Sequence, residues 1–156
     1  MGHLGFSYVG LIYLLLLFIP NLVWARHMPP GYSVREEKRI LKGFEKVGQV
    51  LITSCALIFS DFNLRPFSPW SLWLVLSFLS MVIYEACWLR YFKRPTLPAM
   101  YAPLGLIPVP LASLPVLAFL LLGIYGKVIW LVLAALILGI GHIGIHIQHF
   151  QTLKRQ

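Results

Sequence analysis

Three imidazoles lie on one helix face near the C-terminus. His142, His146 and His149 stand at i, i+4 and i+7 in "GIGHIGIHIQHF", a spacing that aligns side chains along one side of a helix. The preceding thirteen residues, 129–141, have no charge, hydroxyl or amide. Ionisable groups in so apolar a setting are costly and point to function. Few other polar groups have similar surroundings. Glu85, in "MVIYEACWLRYF", lies five residues before Arg90; Asn21 lies five before Arg26; Gln49 lies three after Lys46. At 1.5 Å per residue, Glu85 sits roughly 7.5 Å from its basic boundary. Four apolar segments thus carry a polar side chain at similar depth. The expected site is Glu85, His142, His146, His149, Asn21 and Gln49, with Glu85 as the acidic partner of the histidines. Ala135 and Gly139 continue the histidine face, and small residues there let a neighbouring helix approach closely in lipid.

Three chemistries fit those residue types. His142, His146, His149 and Glu85 are candidate metal ligands, and imidazole with carboxylate suits zinc or iron. His142 and His149 are roughly 10 Å apart along the helix axis, so two histidines with Glu85 is the easier set. One helix carrying all three histidines argues against bis-histidine haem, and five histidines in the chain are too few for a di-iron hydroxylase. In a second reading the cluster is a pocket for a proton, a cation or a small ligand, in a transporter or auxiliary protein; burial and nearby charge bring carboxylate and imidazole titration into the physiological range. In a third, Glu85 or a histidine is a general acid or base acting on a lipid-like substrate. No GxSxG, HExxH or P-loop pattern supports a specific reaction. The competing structural reading has the histidines bonded to head groups or backbone, and Glu85 locking the bundle through a histidine or Gln49. A non-catalytic assembly or regulatory subunit is a further alternative.

The elements that position these residues follow from composition. Of 156 residues, 59% are hydrophobic and 12% charged. Soluble domains carry about a quarter charged residues, and a domain this small cannot hide so much apolar surface in a core. The expected fold is an all-α integral membrane protein: one domain, a small bundle of five transmembrane helices over about 4–24, 47–62, 70–91, 108–125 and 128–150. The net charge of +8 falls in loops, where it orients the chain and meets anionic lipid head groups, above all at loop one. Nucleic acid is not expected. A partner subunit or a homo-oligomer is compatible with the sequence. Cys55 and Cys87 have no CxxC spacing and fall inside spans, so they read as small buried hydrophobes.

Charge distribution sets the expected topology. Of 13 Lys and Arg, only Arg65 and Lys127 fall on the side shared by loops two and four. The rest lie in loop one, loop three and the C-terminal tail. The positive-inside rule then places the N-terminus outside and the C-terminus in the cytoplasm of a prokaryotic-type plasma membrane. Trp24 and Trp88 fall near the cytoplasmic ends; Trp70, Trp73 and Trp130 fall near the outer ends. The first stretch lacks the basic n-region of a signal peptide and reads as a retained span.

Two loops have organisation of their own. In loop one, "SVRE" reads as a capping box, Ser33 with Glu36. Ile40, Leu41, Phe44, Val47, Gly48 and Leu51 follow at helical spacing. An amphipathic helix over about 34–46 is expected, lying on the membrane surface or rising into the second span; its "REEKR" charges read as a solvated face. Loop three, "RPTLPAMYAPLGLIPVPLASLP", has six prolines and no acidic residue. Repeated proline breaks regular helix, so about 95–110 is expected as an interfacial or re-entrant segment, or else a kinked start to the fourth span.

Overall fold

A computed structural model describes residues 2–32 and 37–155. The described residues form six α-helices and no strand: α1 Tyr8–Arg26, α2 Arg39–Ile58, α3 Leu72–Lys93, α4 Leu97–Met100, α5 Pro110–Gly126 and α6 Ile129–Lys154. Three of them are long and apolar enough to cross a membrane: α1, α3 with the 3-10 turn before it, and α6. Their outward faces carry large apolar side chains, such as Phe18 and Leu22 on α1, Phe78 and Val82 on α3, and Leu133 and Ile140 on α6. Apolar surface of that extent needs lipid or a partner to cover it. The helix α5 is equally apolar, but its 17 residues reach only about 25 Å, short of the roughly 30 Å hydrocarbon core.

That short helix is the centre of the bundle. Ala112, Ala118, Phe119 and Leu122 of α5 are fully buried between α3 and α6, while α2 packs along α6. The Ser77 hydroxyl on α3 donates to Ala118 O on α5 at 2.6 Å. Tyr125 ends α5 in a polar latch: its carbonyl accepts from Arg65 at 2.9 Å and from Trp70 Nε1 at 3.0 Å. Lys127 turns the chain into α6 with a left-handed backbone, φ 57°, so α5 and α6 form a tight hairpin.

The second helix takes one of the two courses expected of it: the amphipathic segment rises directly into the helix that follows. No break separates an amphipathic segment ending near 46 from a span starting near 47; α2 runs unbroken from Arg39 to Ile58. Its apolar pattern divides between an outward and an inward side. Ile40, Phe44, Val47 and Leu51 are exposed, whereas Gly48, Ile52, Cys55 and Ala56 are buried, with Leu41 and Glu45 half-buried. In a lipid-facing bundle, apolar side chains gain nothing by turning inward, and small or hydrogen-bonding groups occupy helix contacts. The Ser33–Glu36 capping box lies outside the described residues.

The chain ends and loops close the bundle. Residues before α1 run extended beside the end of α2, with Gly5 N donating to Ile58 O at 2.9 Å and Ser7 N to Leu57 O at 3.0 Å. Helix α1 therefore starts at Tyr8 rather than near residue 4. The Ser7 hydroxyl caps it by accepting from Gly10 N. The proline-rich segment is a separate built piece, and α5 begins only at Pro110. Thr96 caps α4, Met100 and Tyr101 are buried against the bundle, and Leu104 and Ile107 exchange backbone bonds of 3.0 Å around Gly105. Arg90, at the end of α3, holds this segment by donating to Ala102 O at 2.8 Å. Cys55 and Cys87 are buried free thiols.

Candidate functional site

The histidines of α6 face α2, because the two backbones nearly touch. An added Cβ at Gly141 would fall inside the backbone of Glu45, and one at Gly48 would fall 2.5 Å from Leu138 Cα. The small residues that admit the neighbour are therefore Gly141 and Gly48. Gly139, the sequence-based choice, meets the Val116 side chain of α5 instead. At this contact His142 Nδ1 lies 2.6 Å from Glu45 Oε1. Two turns along α6, His149 Nε2 lies 3.0 Å from Glu37 Oε1, and Lys42 Nζ lies 3.1 Å from Glu37 Oε2.

The acidic partners thus come from α2 and the residues before it. Glu85 was the expected partner, but its Oε1 is buried with no hydrogen bond among the described residues. The solvated-face reading of "REEKR" likewise fails for Glu37, whose side chain is 6% exposed. One signal for Glu45 existed in the sequence: Glu45 and Gln49 are four residues apart and share a helix face.

His146 sits between the two pairs. Its ring centroid is 4.7 Å from that of His142 and 5.6 Å from that of Tyr101. Its Nδ1 is shielded from solvent and has no hydrogen-bond partner among the described residues. Such an atom is expensive to leave unpaired. His149 stacks on Tyr101 at 5.7 Å and 20°, and Tyr32 packs beside it at 5.6 Å. The Tyr32 phenol is pushed up to about 12, chiefly by burial and then by the negative charges of Glu37 and Glu45.

A chamber of about 180 Å³ opens at this level. Asn21, Glu45, Gln49, His142 and His146 supply its polar lining, and Trp24, Tyr32 and Trp88 supply aromatic wall. Four of the six expected residues, from three helices, therefore meet in one place. Asn21 is oriented by two bonds of its amide, to Leu17 O at 2.7 Å and to the Tyr84 hydroxyl at 2.8 Å. That second bond ties α1 to α3. Glu85 and His149 do not line the chamber. A larger cavity of about 470 Å³ adjoins it between α1 and α2, walled mainly by apolar side chains such as Leu17, Val50 and Phe119.

The metal set expected from the sequence is not gathered. Among the described residues, no group of three or more His, Cys, Asp or Glu is placed to hold a metal ion. The rise of α6 separates His142 from His149, and each is bonded to its own carboxylate. What the arrangement offers is charge pairing and hydrogen bonding: one imidazole–carboxylate contact, Glu45 with His142, beside His146 and two amide side chains around the chamber, and a second such contact, Glu37 with His149, outside it. No protein-family model, curated protein or solved structure matches the chain.

Proposed function

We propose that this is a five-span membrane protein whose chamber binds a proton, a cation or a small ligand, in a transport or auxiliary role. The topology has the N-terminus outside and the C-terminus in the cytoplasm, so the chamber faces the cytoplasm of a prokaryotic-type plasma membrane. Alternation of the Lys and Arg residues supports that orientation. The observation carrying the function is the Glu45–His142 pair at 2.6 Å in the lining of a chamber that also contains His146. A half-buried carboxylate in such a lining attracts cationic groups. His142 is its partner in this structure, and a cation that enters the chamber would compete for the same carboxylate.

The test is flux in proteoliposomes holding a pH-sensitive dye, with gradients of sodium, potassium or tetramethylammonium imposed in turn. Wild-type protein is expected to move protons with at least one cation, and Glu45→Gln to fall to the level of empty liposomes. If no cation drives proton movement and none binds calorimetrically to wild-type protein, the reading is wrong. A second reading, a small intramembrane enzyme acting on lipid-like substrates, draws on the apolar cavity beside the chamber. It requires turnover by the purified protein alone.

A further inference from the structure

The chamber and the apolar cavity are parts of one site. Asn21, Gln49 and His142 belong to the walls of both, so a molecule reaching from one to the other passes these three side chains. Its polar end would lie at Glu45 and its apolar end against Leu17 and Phe119.

The way in is sideways. Helices α1 and α2 touch closely at their other end, where a Cβ on Gly10 would collide with Ala56 O. Towards the chamber the cavity occupies the space between them. Phe18 on α1 and Val50 on α2 line it, and they are 41% and 66% exposed on the outer surface of the bundle. The gap therefore opens on the face that lipid covers.

Charge decides which head group fits. Glu45 is the carboxylate of the chamber wall, and no Lys or Arg is among its described lining residues. Lys42 is engaged by Glu37. A phosphate or carboxylate head would be repelled by Glu45, with no Lys or Arg among the described lining residues to offset it. A cationic head instead takes the place of His142 as partner to Glu45. The aromatic wall favours the same sign, because ring faces attract ammonium groups. Size sets the rest. About 180 Å³ holds a head of a few heavy atoms, at roughly 30 Å³ for each water-sized group. The 470 Å³ cavity lies within the range of small-molecule sites, about 300–1,000 Å³.

We infer that the site binds a single-chain amphiphile with an ammonium head, the head on Glu45 and the chain between α1 and α2. This rests on the proposed ligand site and adds the class of its ligand. A two-chain phospholipid is the wrong occupant, since its phosphate would have no Lys or Arg partner among the described lining residues of the chamber.

The test uses the full chain in phosphatidylglycerol nanodiscs and three photoreactive probes. Each has a twelve-carbon chain with a terminal diazirine; the heads are trimethylammonium, hydroxyl and phosphate. The ammonium probe is expected to label residues 17–21 and 49–53 saturably, and dodecyltrimethylammonium to compete. Glu45→Gln should raise its half-saturation at least about tenfold, the scale of one charge-assisted contact, without changing the hydroxyl probe. Val50→Trp, at a lipid-exposed position that tolerates bulk, should reduce labelling by the ammonium and hydroxyl probes alike. The inference is overturned if the hydroxyl or phosphate probe saturates the same peptides at equal or lower concentration, or if Glu45→Gln leaves ammonium labelling unchanged. Tailless tetramethylammonium separates the two readings. If it still drives Glu45-dependent proton movement while no long-chain probe saturates, the amphiphile falls and the ligand site stands; if both fail, both fall.

Discussion

Gly141→Ala should loosen the contact that holds the chamber together. The new Cβ would lie 2.6 Å from Leu41 O and 2.7 Å from Glu45 Cα. Both atoms belong to the backbone of α2, so no side-chain rotation relieves the clash and the helices must separate. Overpacking of this kind costs about 1–3 kcal/mol, with a rigid backbone contact at the upper end. Alanine recovers about 1 kcal/mol of helix propensity, leaving a net loss of about 2 kcal/mol. For a chain of this size that lowers Tm by roughly 4–8 °C, readable by tryptophan fluorescence on heating in detergent. Gly43→Ala, on the facing helix α2, is the control. Nothing lies within 4 Å of its added Cβ, so it should gain up to about 1 kcal/mol. The opposite signs are the prediction. A Gly141→Ala protein as stable as wild type would show that α2 and α6 are not in contact at this point, and a Gly43→Ala protein that loses stability would show that Gly43 does not face open space. Movement of α2 also lengthens the Glu45–His142 bond, so Gly141→Ala should weaken tetramethylammonium-driven proton flux.

Other substitutions probe separate parts of the bundle. Asn63 accepts from Tyr8 N at 3.0 Å while its amide donates to Phe6 O at 3.0 Å; Asn63→Ala should cost about 1 kcal/mol, the scale of a lost helix cap, seen as a lower thermal midpoint. Ser77→Ala removes the bond to Ala118 O, and at the average for polar contacts between membrane helices should cost only about 0.6 kcal/mol; a loss above about 3 kcal/mol would mean that this hydroxyl does more than join α3 to α5. For Tyr32 the sign of the pH effect follows from its raised pKa, about 12: its contribution to stability is complete below the ordinary tyrosine range and is lost as pH rises towards 12. The ultraviolet difference titration between wild type and Tyr32→Phe should therefore place the missing phenol near 12, and a transition at 10 would contradict its burial beside Glu37 and Glu45.

How much was legible in the chain varied by element. The apolar runs of α1, α3 and α6 announce themselves, because spanning lipid requires an unbroken apolar helix. The proline-rich segment also reads as a break before α5. Harder was α2, whose charged first half looks like a surface helix. Its Ile40, Phe44 and Val47 pattern indicates an apolar face, but periodicity cannot say whether that face meets protein or lipid. The site divides along the same line. The sequence by itself determined that polar groups recur at one depth, and that three histidines share one side of α6, since both follow from helical rise and residue type. Only the tertiary structure decided that Asn21, Gln49, His142 and His146 share a chamber, that Glu45 and Glu37 are the acidic partners, and that Glu85 lies apart. Depth along a helix is encoded locally. Rotation about its axis is set by which backbones can touch, and here Gly48 and Gly141 bring α2 to α6 and turn Glu45 towards His142.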